Sequence, residues 1–276
     1  IVCRLDYTAF QALISSWFRN DVDTFCHYLD TIKKEILPMD VLVVKDYEAM
    51  SRKGADIISA LLTLNGKAVL GLATGSTPVG MYKELVKRNK EGVVSFKDVT
   101  TVNLDEYYPI SPENNQSYRY FMNQNLFNDI DIDKTRTHVL NGLSSDPDKE
   151  CRDYEDMIES LGGIDLQVLG IGRNGHIGFN EPGDFLYPMT HKTSLTESTI
   201  EANSRFFASK DDVPRYSLTM GIGTILKARK IIVLASGKDK KEAVKKMLSN
   251  TIDTKCPATL LSLHKDVTVI VTEDCI

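Results

Sequence analysis

The segment 168–183, VLGIGRNGHIGFNEPG, breaks a β-branched apolar run into a glycine-rich turn that presents Asn174, His176 and Glu181 within eight positions. An imidazole titrating near pH 6.5 both takes and gives a proton at neutral pH, and a nearby carboxylate and amide can fix its tautomer and raise its basicity. A turn histidine that caps a strand end satisfies the same pattern, so this loop alone leaves both readings open. Two other stretches carry similar chemistry. In LGLATGSTP, residues 70–78, a strand runs into Thr74, Gly75, Ser76 and Thr77 ahead of a helical pattern. Free N–H groups at a helix start and hydroxyl donors there can hold an anion, although Ser76 or Thr77 could equally be a plain N-cap. The loop is neither a Walker A loop nor GxGxxG, so a nucleotide is not indicated. In NLDEYYP, residues 103–109, two carboxylates follow a buried run. Asp105, at the strand end, is the candidate general base, with Glu106 expected on the surface or in a salt bridge, and a turn aspartate before Pro109 is the plain alternative. Arg205 and Lys238 are candidate cationic partners for a phosphate.

The elements that must position these residues are legible from Met39 onward. β-rich runs at 41–44, 69–72, 99–104, 166–171, 231–235 and 267–271 alternate with helical periodicity. Ile57, Ile58, Leu61 and Leu62 share a helix face before Asn65-Gly66 stops it, and Ala243, Val244, Met247 and Leu248 form another. Such alternation predicts an α/β fold, a three-layer sandwich with a mostly parallel, Rossmann-like sheet, whose ligands sit at the carboxyl ends of strands near a switch in strand order. Residues 1–38 differ: Phe10, Leu13, Ile14, Trp17, Phe18, Phe25, Tyr28, Leu29, Ile32 and Ile36 follow helical spacing, predicting an amphipathic extension ahead of a single catalytic domain over 39–276.

Composition removes several function classes. The chain has 276 residues, with 33 Lys and Arg against 38 Asp and Glu and a formal charge of −5, so no basic excess points to nucleic acid or an anionic membrane. No apolar stretch reaches the roughly 20 residues of a membrane span, and the N-terminus lacks the order of a secretory signal, so a cytoplasmic location is the default. Cys3, Cys26, Cys151, Cys256 and Cys275 are scattered without CxxC spacing, which predicts free thiols rather than a disulfide framework or a zinc site.

Taken together, GLATGSTPVGMYKEL, NLDEYY, GIGRNGHIGFNEPG, ANSRFF and SLTMGIGTIL resemble the glucosamine-6-phosphate deaminase, or isomerase, family, in the family's order and over nearly everything after Met39. The resemblance implies a sugar-phosphate isomerase-type sandwich, no metal or organic cofactor, and conversion of glucosamine 6-phosphate and water to fructose 6-phosphate and ammonia. It implies that His176 assists ring opening with Asn174 and Glu181 orienting it, and that Asp105 moves a proton from sugar carbon 2 to carbon 1. Thr74, Gly75, Ser76, Thr77, Arg205 and Lys238 would receive the phosphate, and the segment 184–203 would act as a lid. Many members of the family carry aspartate where Asn174 stands. The allosteric hexamers place a basic pair where this chain has His191 and Thr193, so a monomer or small homo-oligomer without that activation is expected. A sibling isomerase or lactonase would share the phosphate cradle but not the pairing of Asp105 with the histidine loop. A sugar-phosphate sensor would call for a DNA-binding module, for which residues 1–38 are short and carry no basic recognition helix.

Overall fold

The structure is a computed structural model that describes residues 39–197, 200, 201, 209 and 212–276. The expected extension over 1–38, with Cys3 and Cys26, and the expected phosphate ligand Arg205 lie outside the described residues. The strands are β1 (Met39–Val44), β2 (Val69–Leu72), β3 (Thr100–Asn103), β4 (Asp105–Tyr108), β5 (Thr137–His138), β6 (Leu166–Gly170), β7 (His191–Ser194), β8 (Tyr216–Thr219), β9 (Lys230–Ala235) and β10 (Val267–Thr272). The helices that matter here are α1 (Tyr47–Leu64), α2 (Val79–Lys90), α3 (Tyr118–Met122), α4 (Pro147–Ser160), α5 (Ile222–Leu226) and α6 (Lys241–Met247).

Seven strands form one parallel sheet in the order β1-β10-β9-β6-β2-β3-β5, flanked by helices. The six β-branched runs all become strands of this sheet, because Val, Ile and Leu fill both of its covered faces. Every residue of β2 and of β10 is buried. Helix α1 buries Met50, Ala55, Ile58 and Leu62 on one face, starts where the Asp46 side chain accepts from Ala49 N, and ends at Asn65 as its spacing predicts. Helix α6 buries Ala243, Val244 and Met247. The three described cysteines, Cys151, Cys256 and Cys275, are buried and free. No helix among the described residues is long and apolar enough to cross a membrane.

A second sheet, β4-β8-β7, is antiparallel and is absent from the sequence reading. The run 99–104 does not end in a loop: it breaks at Leu104, whose carbonyl accepts from Met220 N, and β4 departs to pair with β8, Asp105 opposite Thr219 and Glu106 opposite Leu218. These strands lack the apolar signature because they are short and mixed in composition: β4 opens with two carboxylates and β7 reads His-Lys-Thr-Ser, although Leu218 of β8 packs into the main core.

Candidate active site

The chain runs outward from β2 through β3 to β5 and then returns to the opposite side of β2 at β6, so the strand order reverses between β2 and β6. Helices on the two sides leave a crevice at such a reversal, beyond the carboxyl ends of the strands. Four consecutive parallel strands, β9, β6, β2 and β3, end there. Lys238 follows β9, Asn174, His176 and Glu181 follow β6, Thr74 to Thr77 follow β2, and Asp105 follows β3. With neighbouring strands roughly 4.8 Å apart, segments separated by more than 160 positions in the chain leave the same edge of the sheet side by side.

The loop after β6 is folded tightly on itself. Gly172 N donates to His176 O (2.9 Å), Gly175 N donates to Gly172 O (3.0 Å), and Gly175 sits at φ +85°. The imidazole of His176 is 30% exposed, with Nδ1 3.4 Å from Glu181 Oε1, an ion-pair distance without hydrogen-bond alignment. Asn174 reaches the carboxylate rather than the ring: its Nδ2 donates to Glu181 Oε2 (2.8 Å), and its Oδ1 accepts from the backbone N of His176 (3.2 Å). A carboxylate so held can swing by a few tenths of an ångström to meet Nδ1, and catalytic contacts commonly tighten in this way when substrate binds.

Asp105 meets this loop at Gly178. A Cβ on Gly178, which sits at φ +58°, would lie 3.3 Å from Asp105 Oδ2 and 3.0 Å from Thr219 Oγ1. Thr219 Oγ1 in turn accepts from Phe179 N (3.1 Å), so β8 stitches the histidine loop to the strand that carries the carboxylate. Asp105 is only 6% exposed, and its carboxyl is pushed up to about 8, first by burial and second by the charge of Glu106. Below that loop, Tyr118 and Phe179 stack at 6.0 Å and Tyr107 lies 4.9 Å from Tyr118, giving β4, α3 and the loop a common apolar base.

The turn after β2 shows no sign of being an ordinary cap. The N-cap of α2 is Pro78, without a side-chain cap bond, and the hydroxyls of Thr74, Ser76 and Thr77 bond to no described residue. Gly75 adopts φ +93° with open space where a Cβ would stand, which leaves the loop's N–H groups accessible. The phenol of Tyr47 braces the loop, donating to Ser76 O (3.0 Å) and accepting from Gly80 N (2.8 Å). Lys238 is exposed just beyond Gly237 (φ +102°). A cleft of about 450 Å³ opens beside Glu181, lined in part by Phe185, Tyr187, His191 and Lys192.

A family model for glucosamine-6-phosphate isomerases/6-phosphogluconolactonase matches residues 46–270, which includes all four strand ends. The chain belongs to this family. Within it, a glucosamine-6-phosphate deaminase of Clostridium perfringens is 56% identical over 236 residues, 86% of this chain and 98% of the relative. The deaminase of Thermoanaerobacter pseudethanolicus is 52% identical, with 86% and 93% covered. A solved structure of a monomeric glucosamine-6-phosphate deaminase matches with a TM-score of 0.84 at 46% identity, covering 86% of this chain and 98% of that one. The 6-phosphogluconolactonase from Trypanosoma cruzi matches with a TM-score of 0.71 at 20% identity, covering 86% and 95%, a likeness of fold alone.

Several residues of this family member escape the sequence reading. Glu106, expected on the surface or in a salt bridge, is 1% exposed and accepts from three backbone N–H groups instead. Strand alternation aims Asp105 and Glu106 to opposite faces of β4, and α3 covers the second of them. Tyr47 and Thr219 carried no signal, since a phenol at a helix start and a threonine in a short strand are ordinary residues. The described first part of the expected lid carries hydrogen bonds to the rest of the domain: Ile222 N donates to Tyr187 O, Thr224 N to Pro188 O and Thr190 N to Glu155 Oε1, before β7 enters its sheet.

Proposed function

We infer that this chain is a glucosamine-6-phosphate deaminase, which isomerises the aldose to a ketose and releases the amine, turning glucosamine 6-phosphate and water into fructose 6-phosphate and ammonia. The observation that carries this reading is the meeting of a buried carboxylate, Asp105, with the Asn174, His176, Glu181 loop at Gly178. Hydrolysis of a lactone has no C–H proton to remove, whereas transfer of a proton from carbon 2 to carbon 1 needs a positioned, desolvated base. The identity with deaminases above 50% over most of the chain agrees with that chemistry.

In this reading the phosphate lies against Thr74, Gly75, Ser76 and Thr77 at the start of α2, where unpaired N–H groups and the helix dipole favour a dianion. Lys238 and Arg205 supply charge. His176 gives a proton to the ring oxygen as the pyranose opens, held in place by Glu181, which Asn174 holds in turn. Asp105 takes the carbon 2 proton, leaving an enolamine, and returns a proton at carbon 1. The resulting imine at carbon 2 is hydrolysed by water to the ketone and ammonia. The catalytic unit is 39–276, with residues 1–38 an extension outside the chemistry. A cytoplasmic location accords with this substrate, because the charge on a phosphorylated sugar keeps it from crossing a membrane unaided.

The chain acts as a monomer or small homo-oligomer without the activator site of allosteric hexamers. His191, at one activator position, has its ring 4.4 Å from that of Tyr187 and its Nδ1 2.9 Å from Met189 O. Thr193, at the other, is neutral and pairs with Ser217 across β7 and β8. The decisive assay supplies glucosamine 6-phosphate and measures ammonia and fructose 6-phosphate. Equal release of both, hyperbolic in substrate and indifferent to N-acetylglucosamine 6-phosphate, is expected; a folded protein that releases neither overturns the reading.

Asn174 offers a narrower test. Asn174→Asp removes the amide that donates to Glu181 and sets a second negative charge beside it. The pH–activity optimum is expected to move to higher pH with a severalfold lower maximum, because added negative charge makes neighbouring groups hold their protons longer. An unchanged pH profile would show that Asn174 does not act on the acid–base groups.

A further inference from the structure

The second carboxylate of the pair, Glu106, is built into the protein as firmly as Asp105 and plays no part in the steps above. Its Oε1 accepts from Tyr107 N (2.9 Å) and Tyr118 N (2.8 Å), and its Oε2 accepts from Arg119 N (3.0 Å). Two of these donors open α3, where Ser117 Oγ already takes Tyr120 N. A carboxylate taken fully out of water costs several kcal/mol, and a helix start needs no more than a hydroxyl or an amide to cap it. A charge at this position therefore calls for a reason beyond capping. The peptide that joins it to Asp105 provides one, since the two carboxylates leave adjacent residues of one short strand.

We propose that Glu106 is a positioning residue for proton transfer: its three N–H bonds fix β4 under Asp105, and its negative charge, shielded from water, makes Asp105 the stronger base toward the carbon 2 proton. This rests on the reading of Asp105 as the base. Among the described residues, the charged groups facing Glu106 are few. Asp105 adjoins it along β4, and the guanidinium of Arg119 lies on the α3 side, bonded to Thr137 Oγ1 and Thr137 O (2.8 Å each). The phenols of Tyr118 and Tyr154 are held neutral by burial. His138, beyond Arg119, has its pKa lowered by burial and by that guanidinium, and is neutral as well. The Tyr107 phenol completes the wall through its contact with Tyr118. Burial pushes Glu106 up to about 7, against the pull of its three N–H donors and Arg119, while Asp105 stands at about 8. The Glu106 charge therefore adds to burial in holding the proton on Asp105.

Glu106→Gln is the direct test, read as kcat and kcat/KM against pH beside a thermal melt. The acid limb of kcat/KM is expected to move down by half a pH unit or more, with the high-pH plateau of kcat lowered about three- to tenfold by the weaker base and KM within about twofold of the wild type. Glu106→Asp keeps the charge and shortens the reach, so it should lower the melting temperature while the acid limb stays up. An acid limb unmoved in folded Glu106→Gln, or moved equally in both variants, overturns the proposal. A variant that fails to fold does not rescue it: carboxyl 13C titration of the wild type must then show Asp105 titrating above Glu106, with its own signal also responding as Glu106 ionises, and independent titration of the two carboxyls overturns the proposal. If the wild type releases no ammonia, it is the reading of the reaction that fails, and the carbon titration still reports whether the pair is coupled.

Discussion

Asp105→Asn is expected to release ammonia about a thousandfold more slowly than the wild type, or slower still, and to melt at a higher temperature at neutral pH. The loss follows from the role: an amide of the same shape cannot accept the carbon 2 proton, and general-base catalysis supplies on the order of 10²–10⁴ in rate. The gain in stability follows from linkage. The folded-state pKa of Asp105, about 8, lies above the ordinary value of 3.8, so the unfolded chain releases this proton first and stability is lost as pH rises from about 4 toward 8. By pH 7 this amounts to at most about 4 kcal/mol, at 1.36 kcal/mol per pH unit. An asparagine carries no such charge but must still satisfy its amide. A net gain of about 2 kcal/mol, or roughly 5 °C for a domain of this size, is the expectation. The sign is checked by repeating the melts at about pH 3, below the ordinary value of 3.8, where Asp105 is largely protonated in both states and the advantage should nearly vanish. A variant that is inactive and also less stable at pH 7 would mean that the carboxylate is satisfied by contacts that outweigh its burial. A variant that keeps a tenth of the activity would remove Asp105 from the chemistry.

Gly172→Ala is expected to lower kcat about a hundredfold while leaving the fold in place. A Cβ at Gly172 would stand 2.3 Å from both Nδ1 and Cε1 of His176, far inside contact distance. The backbone at Gly172 is not in the left-handed region, so alanine is locally acceptable and the imidazole is what must move. Displacement of about 1 Å takes Nδ1 out of reach of Glu181, and misplacement on that scale costs about 10²-fold in rate. The measurement is kcat beside a melting curve. A rate within twofold of the wild type would show that this ring position is not the working one, while a fall of many degrees in melting temperature would show that the loop, and not only the ring, had been displaced.

Much of this architecture is legible in the sequence. The strands from 69–72 to 267–271 announce themselves because a sheet covered on both faces demands continuous β-branched and aliphatic runs, and α1 ends at Asn65 because the chain leaves the helix there. Asn174, His176 and Glu181 were found together because they lie within eight positions, so chain connectivity alone keeps them near one another. The second sheet was not legible, since β7 is polar and β4 opens with two carboxylates.

What the sequence determined by itself was local: the fold class from the period of its apolar residues, the turns from glycine and proline, and the residue types able to move protons or hold an anion. Its resemblance to a family added the reaction. Only the tertiary structure decided which strand ends are neighbours, that Asp105 meets the histidine loop at Gly178, and that Asn174 bonds to Glu181 rather than to the ring. It also decided that Glu106 is buried. Strand order and the covering of β4 by α3 are set by packing between segments far apart in the chain, and no periodicity within either segment records which partner lies on its other side.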